Sequence, residues 1–532
     1  MRAAALTTHR RWWIGASLAL LAIALIAMRL HTFDEPIPRD VGIYALIGDG
    51  LIRGGALYSQ WIDLKPPGPY LMFAAVSAWT GVGALQLFLL GLGAALTTAA
   101  GLFAIFAGPL RAPWLGVAAV AGFVLIGSDL RLEANEPNTE VFINAALVWW
   151  LWLFLRLPVQ GGAWQAAAIG GLIAAATFFK QVALVPAVLA CLAHLWLNRA
   201  NLRHAFAQTA IAGAVVALSW LVLALWFARD GRFGLLWDVL IAYPMEYGRV
   251  NGAGMWANLV EGFSFARFFG SALGGYAWGV IGCSVLALIG AVRGDRLWRM
   301  WLALAIGTQF AVTAPGWFFA HYFQLWLPLL ALGFGLALRD LERLAGARLA
   351  SACALSLLAV VLIVRTAPQY QLDARAWSQA KYGTMFTSSE ALGLALGRRL
   401  APNDRVFVYG VLPNLYFAAG RRPLTGAVNI WLGFDHYGVR LAPLVSRIAL
   451  DDLAAQPPEV VVIDGFTAAH DQPPSPLGRW IAAHYRVVAE VPGYRLAVPL
   501  DAAPQLIERV QTVPLQLTEI QDQIANERPA PD

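Results

Sequence analysis

Over the first two thirds of the chain, apolar residues come in long runs. They do not fall into the alternation of a half-buried strand or the stripe of a surface helix. Runs at roughly 12 to 30, 84 to 107, 113 to 128, 140 to 156, 165 to 179, 181 to 197, 206 to 228, 269 to 291, 299 to 315, 321 to 338 and 349 to 365 are apolar nearly all round. This is the pattern of helices that meet lipid or other helices on every side. A further segment, about 67 to 82, follows Lys65 and contains three prolines within "KPPGPYLMFAAVSAWTGVG", so it is expected to lie in the interface rather than to cross.

After Arg365 the pattern changes. "DRVFVYG" and "PEVVVIDG" are short β-branched runs closed by Gly, and "YRVVAEVPGYRLAV" reads as a hairpin turning at Pro492 and Gly493. Residues 387 to 400 and 438 to 455 carry helical periodicity. A small α/β domain over 366–504 is expected, followed at 505–532 by a polar, Gln-rich tail that fades into disorder. No nucleophile elbow or phosphate loop is present in it, and it reads as a lid or docking module.

Charge sets the orientation. With the 67 to 82 segment uncrossed, the loops bearing Arg111, Arg156, Arg199, Arg203, Arg293, Arg296, Arg299, Arg339, Arg343 and Arg348 all fall on one side. Basic short loops stay in the cytoplasm. The expectation is therefore about 11 spans, an N-terminus inside and a C-terminal domain outside, in a bacterial inner membrane. An uncleaved first helix fits, because the run from Trp12 to Leu30 exceeds the length of a signal-peptide core. Loops 31 to 66, 129 to 139 and 229 to 268 then share the outer face with the C-terminal domain.

Composition agrees: 59% of the 532 residues are hydrophobic and 13% charged, against about 25% charged in soluble domains. The net charge of +6 comes from scattered topological Arg residues and implies no nucleic acid. Cys191, Cys283 and Cys353 lie inside apolar runs, so neither a disulfide framework nor a zinc site is indicated.

The outer loops hold the candidate chemistry. The first carries Arg39, Asp40, Tyr44, Tyr58, Asp63 and Lys65 beside a Pro-Pro pair. A carboxylate there can accept a proton from an attacking hydroxyl, and a lysine at the membrane boundary can hold a lipid phosphate. The second loop, "DLRLEANEPNT", leads into Glu140 at a helix start, where a capping role competes with a catalytic one. Lys180 offers a second phosphate contact or merely snorkels. His321 and Tyr322 open the tenth span, and Tyr243, Glu246, Tyr247 and Arg249 form an aromatic and charged mixture in the third loop.

The first loop, "RDVGIYALIGDGLIRGGALYSQWIDLKPPGPYLMF", resembles that of bacterial GT-C glycosyltransferases related to the protein mannosyltransferases and the lipid A aminoarabinose transferase. That family reads Arg-Asp-Glu-Gly, then Tyr-Ala, then Gly and Tyr, then Asp-x-Lys-Pro-Pro-Gly. Arg39, Asp40, Gly42, Tyr44, Ala45, Gly55, Tyr58, Asp63, Lys65, Pro66, Pro67 and Gly68 fit it, while Val41 stands in the place of the Glu. "ANEPNTEVF", "FFKQVAL", "HYFQLWLPLL" and "VFVYGVLPNLYFAAGRRP" extend the resemblance along most of the chain.

The resemblance implies an inverting transferase that moves a sugar from a polyprenyl-phosphate donor to a lipid, polysaccharide or protein acceptor outside the membrane. In it Asp40 is the base, Lys65 meets the donor phosphate with Arg39 and Lys180, and Glu140 is the second acid. Tyr44, Tyr58, Asp63, Arg249, His321 and Tyr322 are candidate substrate contacts. No cofactor is obligatory, although two outer acids have the ligand type for a divalent ion. Two other readings stay open: a flippase of lipid-linked sugars, disfavoured by acids that gather at one surface without internal repeats, and a non-catalytic envelope-binding protein, for which Val41 argues.

Overall fold

A computed structural model describes residues 2–247, 254–345, 348–435 and 438–526. It resolves into two compact units, one of Met1–Phe33, Leu87–Asp230 and Asn251–Asp373, the other of Asp34–Gln86, Gly231–Val250 and Ala374–Asp532.

The first unit is helical. Helices occupy every expected span: Arg2–Leu30, Ala84–Ala107, Pro113–Ile126, Thr139–Leu155, Ala163–Phe179, Leu184–Leu197, Leu202–Arg229, Ala277–Val292, Arg296–Thr313, Leu327–Ala345 and Arg348–Thr366. Among the described residues, six helical stretches are long and apolar enough to cross a membrane. The stretch Ala320–Leu344 is 83% buried in its apolar window, whereas Arg199–Arg229 is 11% buried. The first is thus the centre of the bundle, and the second turns Leu218, Leu221 and Leu225 outward, as a helix bordering lipid does. Small residues allow close crossings: a Cβ on Gly170 would stand 2.4 Å from the Ala212 carbonyl oxygen.

Polar side chains tie the ends of this bundle. At one end Asp129 accepts from Tyr276 (2.7 Å), Arg365 (2.9 Å) and Gln369 (3.2 Å), fastening the last helix to the loop after Pro113–Ile126. At the other, Arg339 donates to Asp295 (2.7 Å) and to Asp340 (2.9 Å), joining two of the basic loops read from the sequence.

In the second unit, four strands form one sheet: β1 (Val406–Tyr409), β2 (Val460–Asp464), β3 (Tyr485–Val491) and β4 (Tyr494–Pro499), ordered β1-β2-β4-β3. β1 and β2 pair in parallel, Val406 with Val460 through Tyr409 with Ile463. Both are almost wholly buried, which explains their unbroken apolar runs. β3 and β4 are the expected hairpin, and β3 carries a register shift between Val487 and Ala489, a device that blunts a sheet edge.

Residues 34–86 cluster with this sheet domain, not with the helices that flank them in sequence. Part of that stretch, expected as loop, is a helix, Arg39–Ile52. It packs on Gly68–Thr80 through Tyr44, whose ring meets Tyr70 at 5.9 Å and Phe73 at 5.7 Å. Gly42 sets the approach on the other side, because a Cβ there would lie 2.6 Å from the Pro413 ring. Lys381 pairs with Glu35 at 2.6 Å, and the Ile62 amide donates to the Gly426 carbonyl at 3.1 Å. The segment expected as a tail forms helices Pro504–Gln511 and Val513–Asn526, with Val510, Val513, Leu517 and Ile520 buried; residues 527–532 lie outside the described ones.

Candidate active site

In the helical unit the second acidic motif, Lys180 and the His-Tyr pair meet. The chain leaves Asp129, passes a left-handed turn at Glu133 (φ 51°) and enters Thr139–Leu155 at Glu140. That helix start brings Glu140 inside, 0% exposed. A buried carboxylate needs a partner, and Lys180 supplies it: Nζ donates to Glu140 Oε1 at 2.7 Å while Thr139 donates to Oε2 at 3.0 Å. Lys180 is held there because the helix Ala163–Phe179 ends at it in an extended residue before the turn Gln181–Ala183. Its ammonium also sits 3.5 Å from the centre of the Tyr322 ring, a cation–π contact.

His321 lies at 4.8 Å from the Tyr322 ring and places Nδ1 3.4 Å from Glu133 Oε2. Behind them Gln324 donates to the Glu133 carbonyl (2.9 Å) and Asn144 donates to the Gln324 carbonyl (2.8 Å). The buried side-chain oxygens of Asn138, Asn144 and Gln324 have no hydrogen-bond partner among the described residues. Gln324 and Asn144 were not singled out from the sequence; a Gln and an Asn inside apolar runs are the signal that marks them.

In the second unit the first-loop residues divide by role. Asp40 stands in the first turn of Arg39–Ile52, its side chain 26% exposed, with Arg39 Nε 3.4 Å from Oδ1. A carboxylate at a helix N-terminus is favoured in its charged form. The Arg39 guanidinium also lies over the Trp431 ring at 5.3 Å. Val41 is fully buried, so its side chain packs, and a carboxylate at that position would be a buried charge.

Lys65 is presented by a fixed backbone. Tyr58 donates from Oη to the Lys65 carbonyl at 2.7 Å, and the Lys65 amide donates to Tyr70 Oη at 3.1 Å. Tyr70 in turn donates to Asp63 Oδ2 at 2.9 Å, and Asn429 donates to Asp63 Oδ1 at 3.2 Å. Burial, then the nearby Asp63, push the Tyr58 phenol well above its ordinary value, so it stays a donor. The Lys65 ammonium itself has no ion-pair or hydrogen-bond partner among the described residues. Tyr44, Tyr58 and Asp63, read from the sequence as substrate contacts, are thus buried parts of the frame that carries Lys65. Asn429 and Trp431, in "GAVNIWLG", were missed because only the fold brings them to the first loop. Arg249 lies outside the described residues; its neighbour Glu246 faces Arg440 at 3.5 Å.

Among the described residues, no three His, Cys, Asp or Glu side chains group so as to hold a metal ion.

No protein-family model matches the chain, and no curated protein sequence matches it. Among solved structures, ArnT from Cupriavidus metallidurans bound to undecaprenyl phosphate superposes with a TM-score of 0.56 at 14% identity, over 92% of this chain and 99% of that one. The same protein in the apo state gives 0.57 at 13%, over 93% and 100%. The Archaeoglobus fulgidus oligosaccharyltransferase, tethered to an acceptor peptide, gives 0.51 at 13%, over 90% and 72%. At such identities the likeness establishes the fold. The chain is a multi-pass helical membrane protein with the fold of the GT-C membrane enzymes.

Proposed function

We propose that the protein is an inverting glycosyltransferase of the outer face of the inner membrane, taking a sugar from a polyprenyl-phosphate donor to an envelope acceptor that is a lipid, polysaccharide or protein. The observation that carries this reading is a carboxylate about a quarter exposed, Asp40, on the same short stretch as a lysine whose backbone is pinned while its ammonium has no partner among the described residues. Fold alone does not give activity; the neighbour crystallised with undecaprenyl phosphate supports the donor class.

In this reading Asp40 accepts the proton of an acceptor hydroxyl as its oxygen attacks the anomeric carbon. The bond from that carbon to the donor phosphate oxygen breaks from the opposite face, which inverts the centre. The electron pair leaves with the phosphate, whose growing charge is met by Lys65. Arg39, with Nε 3.4 Å from Oδ1, orients the Asp40 carboxylate. Within the helical unit taken by itself, Lys180 is fixed by Glu140 and Tyr322, and the partnerless oxygens of Asn138, Asn144 and Gln324 suit a ligand rich in hydroxyls. No metal is obligatory in this reading, and a divalent ion remains compatible with it. Mass spectrometry of envelope glycans and glycolipids from cells with and without the protein tests the reading; a modified species that vanishes with the protein supports it, and identical profiles oppose it.

A further inference from the structure

The far end of the helical unit, where the basic loops gather, holds a cavity of about 310 Å³ that the proposed transfer does not use. Its walls are part apolar and part polar and come from four helix ends and the loops beside them. The apolar part includes Leu110, Phe154, Val159, Leu197 and Met300.

Its polar groups form one chain. Gln208 donates to the carbonyls of Pro158 (2.8 Å) and Gly161 (2.9 Å). Its Oε1 is 3.0 Å from Nε2 of the buried His194. Asn198 donates to the His194 carbonyl (2.9 Å), and its Nδ2 lies 3.1 Å from His194 Nδ1. Arg296 closes the chain, donating from Nη2 to Asn198 Oδ1 at 2.7 Å. Each side chain orients the next, and the last is the single Arg, Lys, Asp or Glu among the described residues that line the cavity. One Nη2–H of Arg296 is engaged, which leaves four of the five guanidinium donors.

Among the described residues, no carboxylate lines this space. The acid beside Arg296 in sequence, Asp295, is committed elsewhere: it accepts from the amides of Leu297 and Trp298 and from Arg339. The surroundings are cationic, since Arg199 and Arg299 lie against the ring of Trp196 at 5.8 and 4.5 Å. Trp196 is half exposed, as an aromatic at the membrane interface is. An exposed guanidinium, held by Asn198 and lining a pocket with an apolar wall, recognises a phosphodiester with hydrocarbon attached.

We propose that this cavity binds the headgroup of an anionic glycerophospholipid, with Arg296 on the phosphate and the apolar part of the wall against the glycerol and first acyl carbons. The site is separate from the transfer chemistry and does not depend on it.

The test uses the full chain purified in mild detergent and titrated with phosphatidylglycerol or phosphatidylcholine, with bound lipid counted by native mass spectrometry. Phosphatidylglycerol is expected to bind about fivefold or more tightly, and Arg296→Gln to erase that preference. Val159→Trp, which fills the cavity from an exposed position and leaves Arg296 in place, is expected to weaken binding of phosphatidylglycerol. Inorganic phosphate at a hundredfold excess is expected to leave the lipid bound. Equal binding of the two lipids, an unchanged preference in Arg296→Gln, unchanged affinity in Val159→Trp, or displacement by inorganic phosphate would each overturn the assignment. Thermal melting of both variants at the parent temperature establishes that a loss is local. Should Arg296→Gln fail to fold, Val159→Trp decides alone.

Discussion

Lys180 Nζ donates to Glu140 Oε1 at 2.7 Å inside the helical unit, with the Tyr322 ring beneath the ammonium at 3.5 Å. Two motifs forty residues apart are thereby joined, and each charge depends on the other for its burial. Removing one partner leaves a bare buried charge, which costs about 3–5 kcal/mol. Lys180→Met is therefore expected to lower the melting temperature strongly. Lys180→Met with Glu140→Gln should recover much of the loss, since no bare charge remains. Equal destabilisation by the single and double variants, in detergent-solubilised protein, would show that the pair does not behave as a unit.

Lys65 is expected to act on the donor. Its replacement by Ala should raise the apparent KM for a lipid-linked donor about 10- to 100-fold, the range of a charge-assisted contact, with little change in melting temperature. Tyr58→Phe tests the frame beneath it. Loss of the Tyr58 bond to the Lys65 carbonyl costs about 1 kcal/mol and should raise donor KM a few-fold while kcat holds. Steady-state kinetics with donor and acceptor varied separately distinguish the two, and unchanged donor dependence in Lys65→Ala would remove the phosphate contact.

The sheet domain carries a pH-dependent clasp. Burial alone would raise the Glu459 carboxyl, but bonds from the Arg405 side chain and backbone, at 3.0, 2.7 and 2.6 Å, outweigh it and hold the group below its ordinary value. A depressed carboxyl gives stability that is complete above the unfolded value and is lost as pH falls through the folded one. Arg405→Met should thus cost about 0.5–1 kcal/mol at pH 7, a figure set by the clasp's exposure. The deficit should shrink toward zero well below pH 4.5, the unperturbed value. Hydrogen exchange of β1 and β2 in parent and variant, corrected for intrinsic rates, reads the difference; a deficit that is constant with pH would contradict the linkage.

Much of this was legible in the sequence because the strongest signals were strong. Runs apolar on every side have few alternatives to helices, and the Pro492-Gly493 hairpin and the β-branched runs of β1 and β2 gave their strands. Two elements were hidden. The helix Arg39–Ile52 carries three glycines and charged ends, so its local pattern resembles a loop, and it is stabilised by packing on Tyr70, Phe73 and Pro413. The helix Val513–Asn526 has a polar composition but buries Leu517 and Ile520. In the candidate site the same division holds: candidate residue types could be named from their motifs, whereas the framing roles of Tyr44, Tyr58 and Asp63, and the partners Asn429 and Trp431, exist only after folding.

The basic loops predict the orientation. A reporter enzyme active only outside the cytoplasm, fused after Arg365, is expected to be active. Labelling of the same position by a cytoplasmic reagent, with an inactive reporter, would invert the topology.

The most direct measurement is sugar transfer by Asp40→Asn with a polyprenyl-phosphate-linked donor. The substitution keeps size and removes the proton acceptor from a residue a quarter exposed, so the account predicts an inserted, folded protein that still binds donor but turns over about 10²- to 10⁴-fold more slowly. A variant that transfers sugar within a few-fold of the parent rate would contradict it.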